Sequence, residues 1–505
     1  MSPNPAALIA FEGKKVDPAL ATMLSDPRVA GVTLYGSLNI DDAEQTRRLT
    51  TDLRSTAGRP LLVATDQEGG QLNAAGPETT PFAGNLALGA TGDRHLAFDV
   101  AKAIGTELAA LGISVNYAPV ADVATRPWNP SLGIRSFGED PALVSEMTAA
   151  MVNGLQSAGV AATIKHFPGK GEATVDPHDE LPVLELDLER LERVEFAPFR
   201  AGIASGSRLL MVGHYGLPAV TGDRRIPTSI SAEVMEELIR GKLHFGGLIV
   251  TDALDMGAFG DAPTDLPLEM GADLLLYGPA QAGRLPDRNG GNPERMRDLH
   301  AWLAGFRQPD LSVVGCAAHQ ALAADLAERA ITLVRDNTGL LPLSATRHRR
   351  ILAVMPRPID LTPADTSSLV APGLARALGK QHPDVTEIVV DHEPSETEIA
   401  GVAEAARRQD VVVLGTIEAG EAQAALVKAV LATETPVVTV ALRTPYDLAR
   451  YPEASTYVCT YGIHPPSMAA LAAALFGRIP MTGTLPAAVP GLYPPGHGLR
   501  REAVR

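Results

Sequence analysis

Eight short apolar runs, each about the length of a buried strand, recur through the first 280 or so residues, with helix-patterned segments between most of them. They are Leu8–Phe11, Gly31–Tyr35, Leu61–Thr65, Ile113–Ala118, Ala162–Lys165, Leu209–Gly213, Gly247–Thr251 and Ala272–Tyr277. They are rich in Val, Ile and Leu and do not alternate apolar with polar, as expected of strands covered on both faces. Between them, Leu96, Val100, Ile104 and Leu108 fall on one helical face, as do Leu143, Met147, Met151 and Leu155. Buried strands alternating with amphipathic helices imply a parallel sheet, and eight such units fit a TIM-type (β/α)8 barrel.

A Gly/Pro/Asn-rich loop follows at Gly278–Pro293, then a helical region to about Val334 and the connector Leu340-Leu341-Pro342. A second α/β pattern begins at Arg350. Its strands are expected at Ile351–Met355, Glu387–Val390, Val411–Leu414, Val437–Leu442 and Thr456–Thr460, with helices such as Glu396–Arg408 and Glu421–Leu431 between them. The expected division is a barrel over 1–293, a helical connector over 294–349 and a smaller flavodoxin-like α/β sandwich domain over 350–505. Neither GxGxxG nor GxxxxGK[ST] occurs, so nothing marks a nucleotide site.

The 505-residue chain is 45% apolar and 20% charged, able to bury large cores. Its net charge of −16 argues against nucleic acid or anionic membrane as a partner. The two cysteines, Cys316 and Cys459, form no CxxC pair or disulfide framework, and each is expected as a small buried hydrophobe. The apolar run Ala6–Phe11 is too short for a secretory core, and no stretch reaches the ~18 apolar residues of a membrane span. A cytoplasmic location is expected.

Polar residues stand at or just after the ends of the buried runs: Glu12, Asp66, Asp122, Lys165 with His166, His214 and Asp252. In a TIM barrel those ends and the loops after them build the active site. Six such positions converging on one mouth mean a polar pocket.

Four segments carry the chemistry. Ile164-Lys165-His166-Phe167-Pro168-Gly169-Lys170-Gly171 places two donors at a strand end, and the loop beyond carries Asp176-Pro177-His178. An aspartate bonded to one imidazole nitrogen fixes the tautomer and frees the other for proton transfer; the competing reading is a polar surface loop. Thr251-Asp252 ends a strand, where a carboxylate can attack an anomeric carbon, or cap the helix that follows. Asp66, in Asp66-Gln67-Glu68-Gly69-Gly70, can accept hydrogen bonds from sugar hydroxyls, and Arg135 can reach the pocket from the loop after the fourth strand, or form a surface ion pair.

Together, KHFPGxG followed by DxH, the DQEGG turn, RSFGxDP and the strand ending in Asp252 resemble glycoside hydrolase family 3, in its bacterial β-N-acetylglucosaminidase branch. The resemblance spans nearly the whole chain, including Thr460-Tyr461-Gly462, Pro465-Pro466-Ser467-Met468 and Phe476-Gly477-Arg478. It implies Asp252 as nucleophile and His178, oriented by Asp176, as acid/base. It also implies Asp66, Arg135, Lys165 and His166 as the grip on the sugar, with Asp122 and His214 near it. The implied substrate is a GlcNAc-terminated saccharide or muropeptide, with no cofactor and no metal. The sequence departs from the pattern at Gln71, where the branch usually has Arg, at Pro177 in the dyad, and at Asp255, a second carboxylate past the nucleophile.

A histidine acid brings a proton affinity near neutrality and no second negative charge beside Asp252, so phosphorolysis is a variant of the same chemistry. A family 3 β-glucosidase, a metal hydrolase using His166, His178 and His214, and a sugar-binding protein without turnover are the competing readings. For the second domain three roles stay open: capping the pocket, contacting the aglycone, or forming a homodimer.

Overall fold

The computed structural model describes residues 4–288 and 290–504. Each of the eight apolar runs forms a strand: β1 (Ala7–Ile9), β2 (Val29–Leu34), β3 (Leu62–Thr65), β4 (Val115–Asn116), β5 (Ala161–Phe167), β6 (Leu209–Val212), β7 (Leu248–Ala253) and β8 (Leu274–Leu276). They pair in chain order, all parallel, and β1 closes on β8 with Leu8 opposite Leu276. Leu8, Leu62, Leu209, Leu248 and Leu274 pack together in one apolar cluster inside the barrel. Their neighbours Ile9, Val63, Ile249 and Leu275 belong to the layer between strands and helices. Both faces are apolar, which is why the strands lack polar alternation.

Met296 and Leu299, from the helix Pro293–Leu303, join the interior cluster at the end of the barrel opposite its mouth. Arg295 pairs with Asp273 at 3.1 Å, and the Arg208 guanidinium lies over Trp302 at 4.7 Å, fixing that helix beneath the strands.

The second sheet contains β9 (Thr332–Asp336), β10 (Ile351–Pro356), β11 (Val385–Val390), β12 (Val411–Thr416), β13 (Val437–Ala441) and β14 (Thr456–Cys459). Its order is β9-β14-β13-β12-β10-β11. The five strands β10–β14 are parallel in the flavodoxin-type order, and β9 adds an antiparallel edge with Leu333 opposite Val458.

The expected helix to Val334 is corrected here. The helix Ala317–Ala330 stops, and Thr332–Asp336 turns to strand, its Leu333 and Val334 buried on opposite sides of the second sheet. The segment read as a helical connector therefore divides, its first helix closing the barrel and its residues Thr332–Asp336 pairing into the second sheet. No helix among the described residues is long and apolar enough to cross a membrane.

Candidate active site

The ends of β3, β5 and β7 open into a cavity of about 1350 Å³. Its floor is a buried charge network. Lys165, near the end of β5, donates to Asp66 at 2.6 Å and pairs with Glu68 at 2.7 Å. Arg135 grips the same Glu68 with two bonds of 2.9 Å, through Nε and Nη2. Burial works against the Glu68 carboxylate, but Arg135 and Lys165 prevail and hold it down at about 2. Asp66 is shifted the other way, because burial outweighs the pull of Lys165. Arg135 sits in the short 3-10 turn Gly133–Arg135, whose last carbonyl accepts from Asn85 Nδ2 at 2.6 Å. Its loop ends where Asp140 caps the helix Pro141–Ser157, with Pro141 at the first position.

His166 completes the floor. Its Nδ1 lies 2.8 Å from Asp122 Oδ2 and its Nε2 3.3 Å from Arg135 Nη2. Burial, Lys170 and Arg135 all hold the imidazole well below its usual value, so it is neutral, donating from Nδ1 and accepting at Nε2.

Asp176 and His178 lie in the loop after β5. Asp176 Oδ1 accepts from His178 Nδ1 at 2.6 Å and from the His178 backbone N–H at 2.9 Å, so the two residues turn toward one another. Burial pushes the Asp176 carboxyl up, but the His178 bonds outweigh it and hold it at about 2. Asp252, the penultimate residue of β7, lines the cavity together with His178, Lys165 and Asp66. It caps no helix: the next helical turn is Gly257–Phe259, preceded by Met256. Asp255 accepts from the Ala280 N–H at 2.9 Å and packs against Gly278, which ties it to the loop after β8.

Six of the nine site residues expected from the sequence meet at this cavity: Asp66, Arg135, Lys165, His166, His178 and Asp252. Asp176 stands behind His178. Asp122 and His214 lie near the cavity but do not line it, since both are fully buried behind its wall. Asp122 accepts from His166 and from the Lys170 backbone N–H at 2.9 Å, so it braces the wall. His214 bonds Ser229 Oγ at 2.6 Å and the carbonyl of Ala253 at 3.1 Å, so it steadies the end of β7. Glu12 is exposed and away from the cavity, and Cys316 is only partly buried, whereas Cys459 is fully so.

Sequence reasoning left three contributors unassigned. Glu68 was quoted only as part of the turn after Asp66. Lys170, 2% exposed, also lines the cavity. The third is the second lobe. The Thr366 backbone N–H donates to the Gln71 carbonyl at 2.8 Å, and His464 Nε2 to the Gly70 carbonyl at 2.7 Å. Segments near residues 360–380 and 463–469 thereby wall the outer cavity. The Gln71 side chain accepts from the Ile134 N–H at 3.2 Å, filling the position where Arg was expected.

A closed parallel barrel, with its cavity at the carboxyl ends of the strands and an α/β lobe over the mouth, defines a two-lobed TIM-barrel class. The family model for the glycosyl hydrolase family 3 N terminal domain matches residues 6–281, and the chain belongs to that family. It is 31% identical to a β-N-acetylglucosaminidase/β-glucosidase of Cellulomonas fimi over 92% of this chain and 91% of that one. It is 34% identical to β-hexosaminidase A of Pseudoalteromonas piscicida over 65% of this chain, and the match spans 62% of that relative's length. A solved family 3 β-N-acetylglucosaminidase from Paenibacillus sp. str. FPU-7 superposes with a TM-score of 0.87 at 32% identity, covering 96% of this chain and 97% of the other.

Proposed function

We propose that the protein is a retaining β-N-acetylhexosaminidase that removes a terminal β-GlcNAc, with Asp252 as nucleophile and His178 as acid/base. The Asp252 carboxylate attacks the anomeric carbon while protonated His178 gives its Nε2 proton to the departing oxygen, breaking the glycosidic bond. The same nitrogen then takes a proton from water, whose oxygen displaces Asp252 from the sugar. Asp176 stays ionised, fixing the ring and balancing the imidazolium charge. Asp66, Lys165, Arg135 and His166 hold the sugar hydroxyls.

The observation that carries this reading is one cavity bearing both the Asp252 carboxylate and an imidazole braced at 2.6 Å by Asp176. The names of the relatives support N-acetylglucosaminides as the substrate class. The cavity exceeds the ~300–1,000 Å³ of usual small-ligand pockets, which supports a bulky aglycone such as the muramic part of a peptidoglycan fragment. The reading includes a cytoplasmic setting, tested by cell fractionation, and leaves a homodimer to light scattering.

The direct test assays 4-nitrophenyl β-GlcNAc, β-GalNAc and β-glucoside side by side, with and without phosphate. Turnover of the β-GlcNAc substrate to free sugar is expected. Turnover of the glucoside alone overturns the reading, and a phosphate requirement with sugar phosphate as product replaces hydrolysis by phosphorolysis.

A further inference from the structure

The KHFPGxG motif carries a buried cation with no role in the scheme above. Lys170 is 2% exposed, lines the cavity, and has no ion-pair partner among the described residues. The other two buried cations of the wall, Arg135 and Lys165, are both paired to carboxylates. The backbone around Lys170 is held on two sides. Its N–H donates to Asp122 Oδ1 at 2.9 Å, and its carbonyl accepts from Asn129 Nδ2 at 2.8 Å. The next residue is fixed as well, since a Cβ on Gly171 would stand 1.8 Å from the Val123 carbonyl. The ammonium is thus built into the wall and is not a mobile surface group.

We infer that Lys170 is a positioning residue whose ammonium is the shared counter-charge for the carboxylates of Asp122, Asp176 and Asp252 in and behind the cavity wall. This rests on the catalytic reading of Asp176 and Asp252 above. Lys170 lines the cavity together with Arg135, His166, His178 and Asp252, and the charges of Arg135, Asp122, Asp176 and Asp252 all act on it. Burial and the neighbouring Arg135 draw its proton affinity down, to about 8, while the three carboxylates oppose them. Below that pH the cation is present, and above it the carboxylates lose their counter-charge. At a group as buried as Lys170 a unit charge matters far more than at the surface.

The test compares wild type, Lys170→Met and Lys170→Arg as full-length proteins, each checked for an unchanged melting temperature. Lys170→Met is expected to lower kcat on 4-nitrophenyl β-GlcNAc by about ten- to a hundredfold, with KM within about twofold, and to move the acid limb of kcat/KM upward by about one pH unit. Lys170→Arg is expected to restore most of kcat and extend the alkaline limb, because guanidinium keeps its proton. A readout independent of turnover is NMR titration of labelled histidine: His166 should take up its proton at higher pH in Lys170→Met. Unchanged limbs and an unchanged His166 titration in Lys170→Met overturn the inference, as does a rise in KM alone. If no glycoside is turned over but the His166 shift appears, the catalytic reading fails while the electrostatic role of Lys170 stands.

Discussion

The backbone N–H of Gly257 donates to the carbonyl oxygen of His178 at 2.9 Å, and Ala258 donates to Pro177 at 3.0 Å. The turn that follows Asp252 therefore holds the loop that carries the imidazole, fixing the two groups of the proposed reaction against each other. A Cβ at position 257 would stand 2.3 Å from the Asp179 carbonyl, so only glycine permits this approach. Gly257→Ala is expected to separate the loops and lower kcat by about a hundredfold with little loss of stability. Steady-state kinetics beside a thermal melt checks this; retained kcat would mean that the two loops need not be joined.

His178→Ala and Asp252→Ala should part company. Without the acid, aryl glycosides with good leaving groups keep slow turnover while natural substrates lose about 10²–10⁴-fold. Without Asp252, both lose activity. Equal loss of both substrates in His178→Ala would remove His178 from the acid role.

Asp176→Asn keeps the shape of the dyad but removes the charge opposite the imidazolium. A loss in kcat of about 10²–10⁴-fold is expected, with KM little changed. Because the folded carboxyl of Asp176 is lowered to about 2, its contribution to wild-type stability is present above about pH 4 and lost as the pH falls toward 2. Acid unfolding followed by circular dichroism should show the variant to be less sensitive over that window.

Removing Glu68 leaves Arg135 without its two carboxylate bonds and Lys165 with Asp66 alone. Glu68→Gln should lower stability by about 3–5 kcal/mol, the usual consequence of breaking a buried pair. Denaturant unfolding measures this, and a change below about 1 kcal/mol would show that the network tolerates unbalanced charge.

Asp447 lies buried in the second lobe, accepting from Thr416 Oγ1 at 2.6 Å and the Ala419 N–H at 2.9 Å. Burial outweighs both bonds and pushes its carboxyl up to about 7. An acid raised on folding binds its proton more tightly in the native state, so stability falls as the pH climbs from about 4 to 7. Asp447→Asn should therefore gain in melting temperature relative to wild type between pH 4.5 and 8, with about 4 kcal/mol as a ceiling. A pH-independent difference, read by calorimetry, would refute it.

The barrel was legible because strands buried on both faces write themselves as continuous apolar runs. Strand β9 was not, since a five-residue strand beginning one residue after a helix cannot be separated from it by periodicity. Asp122 and His214 were legible as strand-end polar residues, but their depth was not: nothing local distinguishes a side chain facing a cavity from one facing its rear wall. Thr366 reaches Gln71 across 295 residues of chain, a contact no spacing rule encodes. Glu68 and Lys170 sat inside recognised motifs, yet only the packing around them reveals that one balances two cations and the other has no ion-pair partner among the described residues.

The bonds from Thr366 and His464 end on the turn that also bears Asp66 and Glu68. The lobe over the mouth is thus stitched to the very turn that carries Asp66 and Glu68, and excising the first 290 residues would cut both bonds. The carbonyls of Gly70 and Gln71 would then face water, and that turn would be free to wander. Engineering for new leaving groups is better aimed at the outer wall near Leu369, where side chains can change without touching those seams.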